Sequence, residues 1–225
     1  GNAAFFHDQA DRDIWKDADK AYQEAARLDK EAHNIVWLEP AEANNTWAMS
    51  VRGDLARENN LATLEDLADY INEGGAFKFA ASAEFVEAAL EDLASVDDVA
   101  VTRTLLGTSS ASGGATGVAT FQEAYGFKLE SDQLLILSGG NTAATLRAAA
   151  LNNNDVNGAM TYGTDGGLDA LDLKVMEDTA GVQPVYQPAP IVRGEVLEAY
   201  PQIREVLTPI FESLDLETLQ RLNGQ

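Results

Sequence analysis

Trp47, Tyr162 and Tyr186 stand where extended segments meet turns, and rings at such edges face clefts. Trp47 follows Asn44-Asn45-Thr46 at a turn-to-strand junction. Tyr162 ends a strand just before Gly163-Thr-Asp-Gly166, and Tyr186 lies within Pro184-Val-Tyr-Gln-Pro-Ala-Pro190. The chemistry open to these rings is recognition of a methylated ammonium, a cation that donates no hydrogen bonds and is held instead by aromatic faces. Each ring over a desolvated cation contributes about 0.5 to 2 kcal/mol, so three give roughly 1.5 to 6 kcal/mol. Millimolar affinity needs about 4 kcal/mol. Taken singly, each ring is as readily an aromatic of the core or its rim, and spacing alone does not join them into a site.

Catalysis has few residues to work with. The chain carries 2 histidines and no cysteine, which removes thiol chemistry, thiolate metal sites and disulfides together. His7 and His33 both sit in polar contexts near the N-terminus and read as solvated surface residues. The serines Ser109, Ser110 and Ser112 do not form G-x-S-x-G, because Ser109 is followed by Ser-Ala. Thr164-Asp165-Gly166-Gly167 has the look of a calcium-loop fragment, but the further oxygen ligands and the closing Glu are missing. No phosphate-binding glycine motif follows a strand. The sequence therefore predicts a binding protein and not an enzyme, with no cofactor and no metal.

Charge narrows the partners. Asp and Glu number 37 against 15 Lys and Arg, a formal charge of -22, so a phosphate backbone is repelled and nucleic acid is excluded as a partner. An anionic lipid surface is disfavoured as well, since no polybasic run exists to hold it. An acidic surface so poor in lysine suits a protein kept soluble in salty water. No apolar run approaches the roughly 18 residues that cross a bilayer. The start, GNAAFFHDQAD, lacks the basic and apolar regions of a signal segment, so any such segment is expected to have been removed.

The elements that must position the rings follow from periodicity. Between Asp11 and Lys30, Ile14, Ala18, Ala21, Ala25 and Leu28 recur at helical spacing, with His33-Asn34 as the stop. Ile35 to Leu38 reads as a buried strand ended by Pro40, and Ala48 to Val51 as a second strand. Thr63-Leu-Glu-Asp66 makes a capping box for a helix to about Asn72, stopped by Gly74-Gly75. Phe77 to Ala81 is a strand, Ala83 to Ala94 a helix and Val99 to Thr102 a strand, before the small-residue stretch Gly107 to Gly117, which reads as a loop. Beyond it come a helix over Phe121–Tyr125, a strand over Gln133–Leu137, and a helix over Asn141–Leu151 capped by Asn141 or Thr142. Strands follow at Val156–Thr161 and Lys174–Met176, then the proline-broken extended segment Val182–Val192. Helices at Gly194–Tyr200, Ile203–Leu214 and Leu216–Leu222 close the chain. Alternating strands and helices predict an α/β fold with mostly parallel sheets.

Several stretches carry a resemblance. Val36-Trp-Leu-Glu-Pro40, Ala43-Asn-Asn-Thr-Trp-Ala48 with Val51-Arg52, and Ala80-Ala-Ser-Ala-Glu-Phe85 come first. Ala124-Tyr-Gly-Phe127, Tyr162-Gly-Thr-Asp-Gly166, Pro188-Ala-Pro-Ile-Val-Arg193, Tyr200-Pro201 and Leu219-Gln-Arg-Leu-Asn223 follow in the same order. Together they resemble the osmoprotectant-binding proteins of ABC importers, the receptors for glycine betaine, carnitine and choline. The resemblance covers nearly the whole chain apart from roughly 88–114.

The resemblance implies a type II periplasmic-binding-protein fold, two α/β lobes joined by two crossing strands near Pro40–Trp47 and Tyr186–Pro190. Residues 44–188 form one lobe on that reading, and 1–43 with 189–225 supply the other, whose N-terminal part is expected to be missing because Gly1 matches a point inside the family sequence. It implies a cage of Trp47, Tyr162 and Tyr186 around a trimethylammonium, with Asn45 and Thr46 beside the cation. Relatives carry an arginine for the ligand carboxylate shortly after Ala-Glu-Phe. Here Glu87 is followed by Ala88-Ala89, and Arg103 is the candidate substitute. The implied partners are the transmembrane subunits of an ABC permease, and the implied location is the periplasm or, lipid-anchored, the outer face of the cytoplasmic membrane. The alternative is a receptor-derived sensing or permease-fused domain that uses its lobes for protein contact.

Overall fold

Capping chemistry and apolar periodicity set most elements. A computed structural model describes residues 12–83, 118–138 and 141–225. Asp17 accepts the backbone N–H of Lys20 and starts α1 (Ala18–His33), which Asn34 ends in the left-handed conformation. The stripe Ala21, Ala25 and Leu28 is buried as its spacing predicts. Then come β1 (Ile35–Trp37), β2 (Trp47–Arg52), α2 (Gly53–Asn59) and α3 (Leu64–Asn72). Thr63 and Asp66 make the expected capping box at the start of α3. The rest is β3 (Phe79–Ser82), α4 (Val118–Tyr125), β4 (Leu134–Leu137), α5 (Thr142–Ala150, capped by Asn141), β5 (Gly158–Tyr162), α6 (Gly167–Ala170), β6 (Leu173–Val175), β7 (Ile191–Arg193), α7 (Gly194–Ala199), α8 (Gln202–Glu212) and α9 (Leu216–Asn223).

Five strands form one sheet in the order β4-β3-β5-β2-β6. Its larger cluster packs Met49, Val51, Phe79 and Met160 against Leu64 and Leu67 of α3 and Phe121 of α4. On the other face Ala80 and Ala159 meet Leu146 and Ala149 of α5. The two clusters follow from alternation along the strands, with Phe79 and Ala81 on one side and Ala80 on the other. Ser50 and Thr161, both fully buried, share a 2.8 Å hydrogen bond across the sheet.

The expectation of mostly parallel sheets is corrected. β3 pairs parallel with β4 and β5, but β2 runs antiparallel to both β5 and β6. The reason lies in where β2 begins. It is fed by the segment after β1, which arrives at the end of the sheet where β5 finishes, so β2 runs back against it with Trp47 opposite Tyr162. β1 and β7 form a separate antiparallel pair. The expectation of a buried strand at 35–38 is corrected too: β1 is half-buried, having one neighbouring strand among the described residues, and only Leu38 beyond it is fully buried. Helices α2 and α6 were not expected. Both are short, without the apolar repeat that marks a helix in sequence.

The helix expected over Ala83–Ala94, the strand over Val99–Thr102 and the stretch Gly107–Gly117 lie outside the described residues, Ala83 apart. So do Ser109, Ser110, Ser112, Arg103, His7 and the start at Gly1.

Candidate functional site

Two extended segments run side by side between the β1–β7 pair and the five-stranded sheet. Backbone bonds join Leu38 N to Pro190 O (2.9 Å), Ala41 N to Pro188 O (2.8 Å) and Asn45 N to Tyr186 O (3.0 Å). Side chains complete the seam: Tyr186 N donates to Asn44 Oδ1 (2.8 Å), and the Thr46 hydroxyl donates to Pro184 O (2.7 Å). Prolines at 184, 188 and 190 hold the second segment extended, and their carbonyls still accept.

At the end of this seam two of the predicted rings pair, and the third stands on the adjoining segment. Trp47 and Tyr162 lie directly opposite in the β2–β5 ladder, on one face of the sheet, with ring centroids 6.3 Å apart and planes tilted by 36°. Both are half-buried and rest against the larger cluster. Tyr186, also half-buried, is held at the backbone by Asn44 and Asn45. Burial, and then the charge of the Tyr162 phenol, push the Tyr186 hydroxyl above its ordinary pKa. Asn45 and Thr46 act here as struts: Asn45 Oδ1 accepts the Thr164 hydroxyl at 2.5 Å.

The turn after Tyr162 is pinned from every side. Gly163 N donates to Thr46 O (3.0 Å). Asp165 Oδ2 accepts the Tyr162 N–H (2.7 Å), and its Oδ1 accepts the Thr142 hydroxyl at the start of α5 (3.1 Å). From α9, Gln220 donates to Gly163 O (2.7 Å) and Asn223 to Thr164 O (2.8 Å). Two glycines permit this crowding. A Cβ at Gly163 would stand 2.6 Å from Asn44 O, and one at Gly166 would stand 2.1 Å from Gly224 N. The fragment with the look of a calcium loop is thus a hydrogen-bonded turn, and no cluster of metal-ligating side chains occurs among the described residues.

A second anchor holds the start of the seam. Asp178 accepts the Tyr125 hydroxyl (2.5 Å) and the N–H groups of Val182 (2.8 Å) and Gln183 (3.2 Å). Burial, reinforced by the bond to Asp178, pushes the Tyr125 phenol up to about 12. Of these supports, sequence reasoning missed Asp165, Thr142, Thr164, Gln220, Asn223, Tyr125 and Asp178. Asp165 alone left a local signal, since Thr-Asp-Gly is turn-forming chemistry. The others meet across more than 20 residues of chain.

Residues 13–89 and 88–225 match the family described as the substrate binding domain of ABC-type glycine betaine transport system. The chain is similar to glycine betaine-binding protein YehZ of Escherichia coli (strain K12), 46% identical over 224 residues, covering 100% of this chain and 65% of that protein. The solved structure of apo YehZ matches it with a TM-score of 0.76, over 99% of this chain and 70% of that one. A glycine-betaine-binding protein of Pseudomonas aeruginosa is 28% identical over 215 residues, 93% of this chain and 59% of the relative. A Helicobacter pylori (strain G27) protein named ergothioneine transport permease/ergothioneine binding protein EgtU is 25% identical over 199 residues, 88% of this chain and 29% of the relative. The chain spans less than two thirds of the length of these relatives.

Proposed function

We propose a function from one premise: this chain belongs to the family of substrate binding domains of ABC-type glycine betaine transport systems. The family is one of binding proteins and not of enzymes, and its members work outside the cytoplasm. The α/β periplasmic-binding-protein fold expected from the resemblance is shared with apo YehZ. No helix among the described residues is long and apolar enough to cross a membrane.

On that footing the chain binds a small quaternary-ammonium solute, of the glycine betaine or choline kind, and hands it to the transmembrane subunits of an ABC permease. The observation that supports this reading is the Trp47–Tyr162 ring pair where the seam joins the sheet, with Tyr186 held on the adjoining segment. Ring faces around a desolvated methylated nitrogen supply the attraction, and Asn45 and Thr46 hold the seam beside it. Residues 44–188 make one lobe, and 1–43 with 189–225 contribute to the other. The paired segments 38–46 and 184–190 are the hinge on which they close. The protein works in the periplasm or, lipid-anchored, on the outer face of the cytoplasmic membrane.

Calorimetric titration with glycine betaine, choline, proline betaine and carnitine tests the reading. At least one is expected to bind with an affinity on the order of millimolar or better, and Trp47→Ala to weaken it by about tenfold or more. The charge of -22 steers a cation and acts little on a zwitterion. Added salt is therefore expected to weaken choline more than betaine. Neither heat nor a thermal shift from any of the four at millimolar concentration rejects the ligand class.

A second reading draws on the Helicobacter pylori relative, whose name joins a permease to a binding protein. On it, this sequence is the receptor portion of a longer chain and its lobes also contact that permease. A native gene that continues into transmembrane segments supports it; one that ends with the receptor rejects it.

A further inference from the structure

The half-buried carboxylate of Asp165 lies at the end of β5 beside Tyr162, and two roles are open to it: counter-charge for a bound cation, or strut for the ring. Geometry separates them. The parallel ladder between β3 and β5 pairs Phe79 with Gly158 and Ala80 with Ala159. The Gly163 N–H turns to Thr46 O, on the β2 side. Successive backbone N–H groups of a strand point to opposite edges, so the Tyr162 N–H faces the other side, where Asp165 Oδ2 accepts it at 2.7 Å. Oδ1 accepts the Thr142 hydroxyl at 3.1 Å, which ties the same carboxylate to the start of α5. Asp165 N returns a bond to Tyr162 O at 3.1 Å, closing the turn on itself.

We propose that Asp165 is a positioning residue, which ties the Tyr162 backbone to the start of α5 and so, through the ladder, fixes the Tyr162 ring opposite Trp47, and that it is not the counter-charge of the ligand. The proposal rests on Tyr162 belonging to the ligand site. Both carboxylate oxygens of Asp165 are engaged with protein donors, the Thr142 hydroxyl and the Tyr162 N–H. What the site needs from this side chain is acceptor geometry. An asparagine in the same rotamer reproduces that geometry: its oxygen accepts the Tyr162 N–H, and its amide donates to the Thr142 hydroxyl, which also accepts.

The test titrates glycine betaine and choline into the wild type, Asp165→Asn, Asp165→Ala, Thr142→Val, Tyr162→Ala and the double variant Asp165→Ala/Tyr162→Ala, with aromatic circular dichroism of each. Positioning predicts Asp165→Asn within about threefold of wild type for both ligands, and Asp165→Ala weaker by about tenfold. Thr142→Val falls between them and serves if Asp165→Ala does not fold. In the Tyr162→Ala background, Asp165→Ala adds little, since its effect runs through the ring. The Trp47–Tyr162 signal in the aromatic circular dichroism changes in Asp165→Ala and persists in Asp165→Asn. If Asp165→Asn weakens choline as much as Asp165→Ala does, the charge is what matters and the proposal is overturned. Full additivity with Tyr162→Ala, or an unchanged aromatic spectrum in Asp165→Ala, overturns it as well. A wild type that binds no quaternary amine, while the spectra of the two variants differ as stated, sinks the ligand reading alone and leaves the strut standing.

Discussion

The five-stranded sheet and the β1–β7 pair with its helices are built on different terms. Around the large sheet, both faces are covered, and Phe79, Met49, Leu64 and Met160 are wholly shielded from solvent. Around the small one, the buried cluster is Trp15, Ala21, Ala25 and Leu28. Helices α8 and α9 bury no residue fully, and Val206 and Ile210 are 60% and 49% exposed. Yet α9 reaches the site through Gln220 and Asn223, and Leu214 accepts the Ala43 N–H at 3.3 Å. One region supplies stability by burial; the other grips the site through hydrogen bonds. The hinge proposed above is served by that division, because surfaces joined by a few polar contacts separate at lower cost than a shared apolar core.

Core truncation should separate the two regions most. Phe79→Ala should cost about 3–5 kcal/mol in urea unfolding, whereas Ile210→Ala on α8 should fall within about 0.5 kcal/mol. Equal costs would mean that α8 is buried in the working protein. Gly166→Ala comes next. Its Cβ meets the Gly224 backbone, so α9 must move off the turn, at a cost of about 1–3 kcal/mol. Loss of ligand affinity beyond the loss of stability would place the grip of α9 within the binding apparatus. Thr63→Ala, which removes the capping box of α3 in the large region, should cost about 1 kcal/mol without touching affinity. Gln183→Met should stabilise by up to about 1 kcal/mol, because the Gln183 amide nitrogen is buried without a hydrogen-bond partner among the described residues.

The smallest effect is a pH dependence. Burial raises the Asp165 pKa, so between 3.8 and the raised value the folded chain holds a proton that the unfolded chain has released. This carboxyl's contribution to stability is full below 3.8 and is lost as pH rises through the folded pKa. Asp165→Asn has no such proton. Its melting temperature relative to wild type should therefore rise with pH across that window, and a difference that stays flat would show that Asp165 is not penalised by burial.

Legibility varied with the range of the interaction. The Thr63–Asp66 box, the Asn141 cap and the stripe of α1 were readable because each is set by residues within a few positions. The direction of β2 was not, since a strand's own residues do not say which neighbour it will meet. The rings were readable one at a time, as aromatics beside turns. That Trp47 faces Tyr162 depends on the β2–β5 register, which joins residues over a hundred positions apart.

By itself the sequence determined an acidic α/β chain, without thiols, in which local capping and periodicity place the elements, and whose ordered stretches resemble a family of receptors. Tertiary structure decided the mixed sheet, the seam between the segments at 38–46 and 184–190, and the use of Asp165, Thr142, Gln220 and Asn223 around a single turn. The reason is physical. Helices and caps satisfy backbone groups with near neighbours, whereas a strand end or a turn leaves donors and acceptors that only distant parts of the chain can meet.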